Sequence, residues 1–181
     1  MAKKVSEVLV SRTEIAEICA RLGAEISADY QGKEILLICV LKGAIVFMAD
    51  LMREITVPCE IDFMSVQSYS GTKSTGVVRI LKDLDLDIAD RHVIVVEDII
   101  DSGLTLSHLL DILKTRKPAS LKICACFDKP DRRLAELDVD YIGMAIPDEF
   151  IVGYGLDYEG QYRNLPDISI LVDDGQGGMN E

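Results

Sequence analysis

The stretch with the clearest chemical potential covers residues 95–106, where an apolar segment is followed by acids, small hydroxyl residues and a glycine. Its polar and small residues are Glu97, Asp98, Asp101, Ser102, Gly103 and Thr105. Carboxylates accept hydrogen bonds from sugar hydroxyls and bind hard cations. A helix N-terminus with exposed backbone N–H groups binds phosphate. The pattern indicates a site for a phosphorylated sugar, while solvated loop acids and an ordinary helix cap explain it equally well at this stage.

The chain around this stretch predicts an α/β fold, with a mostly parallel, twisted sheet flanked by helices. Continuous apolar runs predict strands that are buried on both faces, and apolar residues at helical intervals predict the helices. The predicted strands are residues 8–10, 35–40, 59–66, 77–81, 92–96, 121–127, 141–146 and 168–172, and the predicted helices are residues 13–28, 45–55 and 106–113. In such sheets ligands bind beyond the carboxyl ends of the strands, where residues 41–43, 97–105 and 128–129 fall.

Length and composition narrow the class of protein. The 181 residues predict a single domain over residues 1–172 and a flexible, glycine-rich tail over residues 173–181. A net charge of −12 disfavours a nucleic-acid partner. Apolar runs too short for a bilayer, and the lack of a signal pattern, indicate no membrane association. Five cysteines without a CxxC spacing indicate reduced thiols in a cytoplasmic protein.

Other nucleotide-binding motifs are absent or weak in the sequence. It has no GxxxxGK[ST] phosphate loop, and Gly153-Tyr154-Gly155 lacks the third glycine of a dinucleotide fingerprint. His92 and His108 are the only histidines, and neither is close in sequence to a nucleophile. The acidic stretch therefore remains the leading candidate for the site.

Residues 95–106, VVEDIIDSGLTL, resemble the phosphoribosyl-pyrophosphate-binding motif of the type I phosphoribosyltransferases. Four further features resemble the 6-oxopurine branch of that family: LKG at 41–43, SYSGTKSTG at 68–76, Lys129, and IPDEFIVGYGLDY at 146–158. The resemblance extends from residue 35 to about residue 166. It implies the type I fold, with a small hood formed by the N- and C-terminal segments. It also implies purine salvage, in which the phosphoribosyl group passes from phosphoribosyl pyrophosphate to hypoxanthine and guanine, giving IMP or GMP and pyrophosphate.

The resemblance implies roles for the residues that bind the sugar and its phosphates. Glu97 and Asp98 would bind the ribose hydroxyls, directly or through Mg²⁺, and Asp101 would accept a proton near N7 of the purine. The 5′-phosphate would be bound by the turn of Ser102, Gly103, Leu104 and Thr105. The pyrophosphate loop would comprise Leu41, Lys42 and Gly43, with a cis peptide between the first two.

The resemblance also implies roles for residues around the base and the leaving group. Lys129 would donate to O6 of the purine, Phe150 would stack on the ring, and Ile151 would contact its edge through the backbone. Asp157 would bind a second Mg²⁺, and Arg163 would contact the pyrophosphate. Ser68 and Tyr69 would belong to a lid over residues 67–76. Glu149 departs from the pattern, because some members of the family carry lysine there, and its role stays open.

Several alternatives remain at this stage. Phe150 could be a core aromatic residue and Arg163 a surface charge. The substrate could be another base, such as xanthine, adenine or a pyrimidine, or the chain could be a non-enzymatic regulator on the same fold. The family also implies a homo-oligomer, either a dimer or a tetramer.

Overall fold

A six-stranded sheet forms the centre of the fold in the computed structural model, which describes residues 3–68 and 78–174. Its strands are β2 (Ile35–Leu41), β3 (Cys59–Ser68), β4 (Val78–Lys82), β5 (His92–Ile100), β6 (Ser120–Asp128) and β7 (Tyr141–Ala145). Their order in the sheet is β4-β3-β2-β5-β6-β7, and every neighbouring pair is parallel except β3 and β4. The mostly parallel α/β fold is therefore confirmed.

Helices cover both faces of this sheet. The helices α1 (Arg12–Asp29) and α2 (Ile45–Glu54) pack on one face, and α3 (Leu104–Thr115) packs on the other. The six residues 35–40 of β2 are buried, because the strand contributes to both apolar clusters. A capping box between Ser11 and Glu14 starts α1. No helix among the described residues is long and apolar enough to cross a membrane.

A second, three-stranded antiparallel sheet forms the hood. It has the order β1-β9-β8 and joins β1 (Lys3–Val10) to β9 (Ile168–Asp173) and the short β8 (Ile151–Val152). The outermost pair of β1 and β9 places Lys3 opposite Asp173, and Nζ of Lys3 lies 3.3 Å from Oδ1 of Asp173 in an ion pair. The predicted hood of N- and C-terminal segments is confirmed.

Some predicted boundaries are wrong. Strand β5 continues to Ile100, four residues beyond the predicted end, because Glu97 pairs with Ala125 and Ile100 with Asp128 of β6. Glu97 and Asp98 therefore lie in the strand and not in a turn after it. Strand β1 begins at Lys3 and not at residue 8, since β9 supplies its backbone partners. Residues 175–181 of the predicted tail and 69–76 of the predicted lid lie outside the described residues.

Candidate active site

The last residues of β5 place two acids at the carboxyl end of the sheet. Burial raises the pKa of Glu97 well above its ordinary range, and the charge of Asp98 adds to the effect. Burial also raises the pKa of Asp98 to about 6, although the backbone N–H of Ile99 donates to its carboxylate over 2.7 Å and opposes the shift. A pair of partly buried acids with raised pKa values fits a cation or hydroxyl donors.

The loop after β2 packs directly against Asp98. A Cβ atom on Gly43 would lie 1.6 Å from Oδ2 of Asp98, so any larger residue there would force the carboxylate out of its position. Gly155 has a φ of +96°, and a Cβ there would lie 2.1 Å from the carbonyl oxygen of Gly43. The peptide between Leu41 and Lys42 is cis, as the resemblance implies. Three predicted pieces of the site, β5, residues 41–43 and residues 153–158, are therefore in contact.

Arg163 and Asp157 pair with each other beside this loop. Nη2 of Arg163 lies 2.5 Å from Oδ1 of Asp157, and Nη1 donates to the carbonyl oxygen of Gly155. The backbone N–H of Gly160 donates to Oδ2 of Asp157 over 2.7 Å. The residues that the resemblance assigns to pyrophosphate and to metal thus form one ion pair next to Gly43.

The turn before α3 surrounds a small cavity of about 180 Å³. Gly103 has a φ of +76°, a conformation that favours glycine, and it begins the helix. The cavity is lined by Glu97, Ile99, Ile100, Asp101, Ser102, Gly103, Thr105 and Leu106. Leu104 does not line the cavity, and its exposed side chain leaves only its backbone for the predicted phosphate contact.

A larger cavity of about 410 Å³ adjoins the end of β6. It is lined by Ile99, Asp101, Lys129, Arg132, Asp148, Glu149, Phe150, Ile151 and Leu156. Lys129 is buried, and its Nζ donates to the carbonyl oxygen of Glu149 over 2.6 Å. The cavity has an apolar wall and a buried donor, which suits a flat, polar base.

Phe150 lies at the edge of this cavity. Its side chain is 48% exposed, so the alternative of a core aromatic residue is wrong. Its ring packs edge-on against Tyr158, with the two centroids 5.6 Å apart. The flat face of an exposed ring next to a cavity is suited to stacking on a planar ligand.

Asp101 and Ile99 line both cavities. Asp101 therefore lies between the turn predicted to hold phosphate and the cavity predicted to hold the base. Backbone hydrogen bonds join the two regions, because the carbonyl oxygen of Ser102 accepts from the N–H groups of Leu134 and Ala135 at 2.9 and 3.1 Å. The N–H of Lys129 donates to Ile100 over 3.0 Å.

Sequence reasoning missed two charged residues of the larger cavity, Arg132 and Asp148, and two apolar ones, Ile99 and Leu156. Nε of Arg132 lies 2.6 Å from Oδ1 of Asp101, and Nη1 lies 3.4 Å from Oδ1 of Asp148. Arg132 follows Lys129 by three residues, at the end of a single turn of 3₁₀-helix (Pro130–Arg132). Residues three apart in such a turn lie on the same side, so this spacing in an Arg-rich segment was a usable signal.

The predicted lid residues fall at the limit of the described part of the chain. Ser68 is the last residue of β3, and Tyr69 lies outside the described residues. Lys42 is exposed at the end of β2. All other predicted site residues lie at the carboxyl end of the sheet or in the segment 149–163 that packs beside it.

Comparison with known proteins places this site in a family. Residues 8–159 match the phosphoribosyl transferase domain family. The hypoxanthine-guanine phosphoribosyltransferase of Streptococcus pneumoniae is 50% identical over 171 residues, which are 94% of this chain and 95% of that protein. The chain therefore belongs to the phosphoribosyl transferase family, and within it to the hypoxanthine-guanine branch.

Solved structures agree with this assignment. A hypoxanthine-guanine phosphoribosyltransferase from Bacillus anthracis has a TM-score of 0.89 at 47% identity and covers 94% of this chain and 100% of its own. A hypoxanthine phosphoribosyltransferase from Staphylococcus aureus has a TM-score of 0.90 at 47% identity, covering 93% and 92%. The resemblance found in the sequence is confirmed, and these relatives lend no support to a different base or to a non-enzymatic regulator.

The raised pKa of Asp98 predicts a measurable effect on stability. The pKa of Asp98 is about 6 in the folded protein and has its usual value of 3.8 in the unfolded chain. Between these two pH values the folded protein binds more protons than the unfolded chain, so stability is lost as the pH rises through this window. We expect Asp98→Asn to raise the free energy of unfolding at pH 7, without ligands, by on the order of 1–3 kcal/mol. The gain should disappear near pH 4, as measured by denaturant unfolding.

The exposed acid Asp111 provides the matched control for this prediction. It pairs with Lys114 on the surface of α3, so Asp111→Asn should produce no such pH-dependent gain. An Asp98→Asn variant that is equally or less stable than the wild type at both pH values would contradict a destabilising charge at Asp98.

Proposed function

We propose that this protein transfers the 5-phosphoribosyl group from phosphoribosyl pyrophosphate to hypoxanthine and guanine, giving IMP or GMP and pyrophosphate. The observation that carries the proposal is the shared position of Asp101 between the two cavities. One cavity is formed by a glycine turn at a helix start, and the other contains a buried lysine and an exposed aromatic ring.

The phosphorylated sugar binds across the ends of β5 and α3. Backbone N–H groups of the turn at residues 102–105 hold the 5′-phosphate at the positive end of α3. Glu97 and Asp98 accept hydrogen bonds from the ribose hydroxyls. This arrangement directs C1 of the ribose toward the larger cavity, with the pyrophosphate beside residues 41–43.

The base binds in the larger cavity. The buried ammonium group of Lys129 donates to O6, Phe150 stacks on the purine, and the backbone of Ile151 contacts its edge. A lysine is a pure donor, so it pairs with a 6-oxo group and disfavours the 6-amino group of adenine. Base selection therefore depends on the buried ammonium group of Lys129, in a cavity lined by both apolar and charged residues.

The transfer needs proton acceptance and charge stabilisation. Asp101 accepts the proton from the purine, while the ring nitrogen forms the bond to C1 and the bond from C1 to pyrophosphate breaks. Positive charge develops on the ribose, so positioned carboxylates stabilise the transition state. Lys42 and Arg163 supply positive charge for the departing pyrophosphate. The proposed lid, with Ser68 and Tyr69, excludes water from the activated sugar.

Mg²⁺ is the proposed cofactor. Glu97 and Asp98 would hold one ion and Asp157 a second, and when bound Mg²⁺ supplies positive charge to the phosphate oxygens. The raised pKa values of Glu97 and Asp98 support the first of these sites, because a cation would offset the charge of the partly buried pair. The described residues contain no group of three or more potential ligands. Mg²⁺ usually needs only one or two protein carboxylates beside substrate phosphates and water.

A direct assay tests the proposed function. The protein is incubated with phosphoribosyl pyrophosphate, Mg²⁺ and each of hypoxanthine, guanine, xanthine, adenine and uracil in turn. We expect nucleotide and pyrophosphate in equal amounts with the first two bases. Turnover with adenine or uracil but not with hypoxanthine would reject the base assignment, and no turnover with any base would reject the enzyme.

The cellular setting belongs to the same proposal. A homo-oligomer in the cytoplasm, with no nucleic-acid or membrane partner, is supported by the resemblance to the family. The five cysteines among the described residues are free, four of them buried, which suits a reducing compartment. Light scattering and fractionation would test the oligomer and the location.

A further inference from the structure

The guanidinium group of Arg132 lies between two carboxylates at the larger cavity. Its Nε is 2.6 Å from Oδ1 of Asp101, and its Nη1 donates to Oδ1 of Asp148 over 3.4 Å. All three side chains are about half exposed, and ion pairs of this kind contribute little to folding stability. The contact therefore affects the orientation of the Asp101 side chain more than the stability of the fold.

The contact leaves half of the Asp101 carboxylate available. The ion pair is closest through Oδ1, and within residues 3–68 and 78–174 the guanidinium of Arg132 is the one cation that pairs with this carboxylate. An ionised carboxylate has lone pairs on both oxygens. With Oδ1 next to the guanidinium, Oδ2 is the oxygen that can accept a proton from a ligand in the cavity.

The backbone fixes Arg132 relative to Lys129. Pro130 begins the turn, and the N–H of Arg132 donates to the carbonyl oxygen of Lys129 over 3.1 Å. Proline restricts the backbone at its position, so the turn has little freedom. One short turn thus carries both the donor proposed for O6 of the base and the cation next to the proposed proton acceptor.

We propose that Arg132 is a positioning residue, which holds Asp101 through Oδ1 so that Oδ2 accepts the purine proton. The inference rests on the proposed function, in which Asp101 is the proton acceptor. In the step, the N–H bond of the purine breaks, its electron pair stays in the ring, and an O–H bond forms on Asp101. A base whose side chain is oriented by a third group is a recurrent arrangement in enzymes. Asp148 remains as a partner for the guanidinium once Asp101 is neutral.

The test combines substitutions at Arg132 with substitution of the base that it is inferred to orient. We expect Arg132→Gln to lower kcat by about tenfold, which corresponds to the usual interaction energy between two residues in contact. KM for phosphoribosyl pyrophosphate should stay unchanged, and Arg132→Lys should recover part of the rate. In an Asp101→Asn background, Arg132→Gln should have no further effect on kcat.

Arg116 provides the matched control. Its guanidinium pairs with Asp83 at 2.8 Å, and it lies at the C-terminal end of α3, opposite the end that lines the smaller cavity, so Arg116→Gln should leave kcat unchanged. Thermal unfolding of each variant separates loss of fold from loss of rate, and Arg132→Lys retains the charge if Arg132→Gln is unstable.

The outcomes separate this inference from the proposed function. An unchanged kcat in Arg132→Gln, or an equal loss in both backgrounds, overturns the positioning role. If Asp101→Asn reduces turnover while Arg132→Gln does not, this inference fails and the proposed function stands. If the wild type forms no nucleotide, both fail.

Discussion

Asp101→Asn is expected to lower kcat by about 10²–10⁴-fold, the usual contribution of a positioned general acid or base. Asparagine keeps the size of the side chain but cannot accept a proton from the purine. The measurement is steady-state formation of IMP at saturating hypoxanthine and phosphoribosyl pyrophosphate. Because Asp101 acts at the proton and not on the phosphates, KM for phosphoribosyl pyrophosphate should change little.

The position of Asp101 is the reason for expecting so large an effect. Of the carboxylates in the described part of the chain, it is the one that lines both the cavity at the glycine turn and the cavity at Lys129. The surface substitution Asp111→Asn serves as the control and should leave turnover intact. An Asp101→Asn enzyme with wild-type turnover would remove this residue from the mechanism.

Lys129→Ala is expected to lower kcat/KM for hypoxanthine by about 10- to 100-fold, the value of a hydrogen bond from a charged donor. The same substitution should change the low activity with adenine much less, because adenine presents a donor and not an acceptor at that position. Discrimination between the two bases should therefore relax. Competition assays with both bases in one reaction measure this ratio directly.

A second substitution separates the chemistry of Lys129 from its packing. Its Nζ also donates to the carbonyl oxygen of Glu149, next to Phe150, so alanine could disturb the cavity wall. Lys129→Met keeps most of the buried side chain without the donor and should relax selectivity in the same way. Lys114→Ala, on the exposed face of α3, should not. Unchanged base selectivity in both Lys129 variants would reject the assigned role.

The fold could be predicted from the sequence because the central strands β2, β5 and β6 are largely buried on both faces. Residues 35–40 form an uninterrupted apolar run, and the structure buries all six in β2. The extension of β5 to Ile100 was missed because Glu97 and Asp98 interrupt the apolar pattern. Their strand geometry depends on backbone pairing with β6, and the side chains of these acids do not reveal that pairing.

The candidate site was partly predictable because some of its residues form a local pattern in the sequence. The acids and the glycine turn are adjacent in sequence, so their local pattern indicated a sugar-phosphate site. The placement of Lys129 at the same edge of the sheet followed from the predicted strand ends, whereas the grouping of Phe150 with these residues depended on the resemblance to a family. The ion pair between Arg132 and Asp101 joins segments 31 residues apart, and no local pattern of polarity or spacing specifies such a partner. The close approach of Gly43 to Asp98 was equally hidden, because it depends on how two neighbouring strands end.

The backbone bonds between the turn at Ser102 and the segment at Leu134 and Ala135 have a consequence for sugar recognition. They join the turn proposed to bind phosphate, at Gly103, to the segment that follows Lys129, which is proposed to bind the base. The distance between these two binding positions is therefore set by the main chain. A ligand must be long enough to span that distance if it is to contact both Gly103 and Lys129. We therefore expect a phosphorylated sugar one carbon shorter or longer than ribose to fit this site less well, so that the length of the substrate contributes to selection alongside its functional groups.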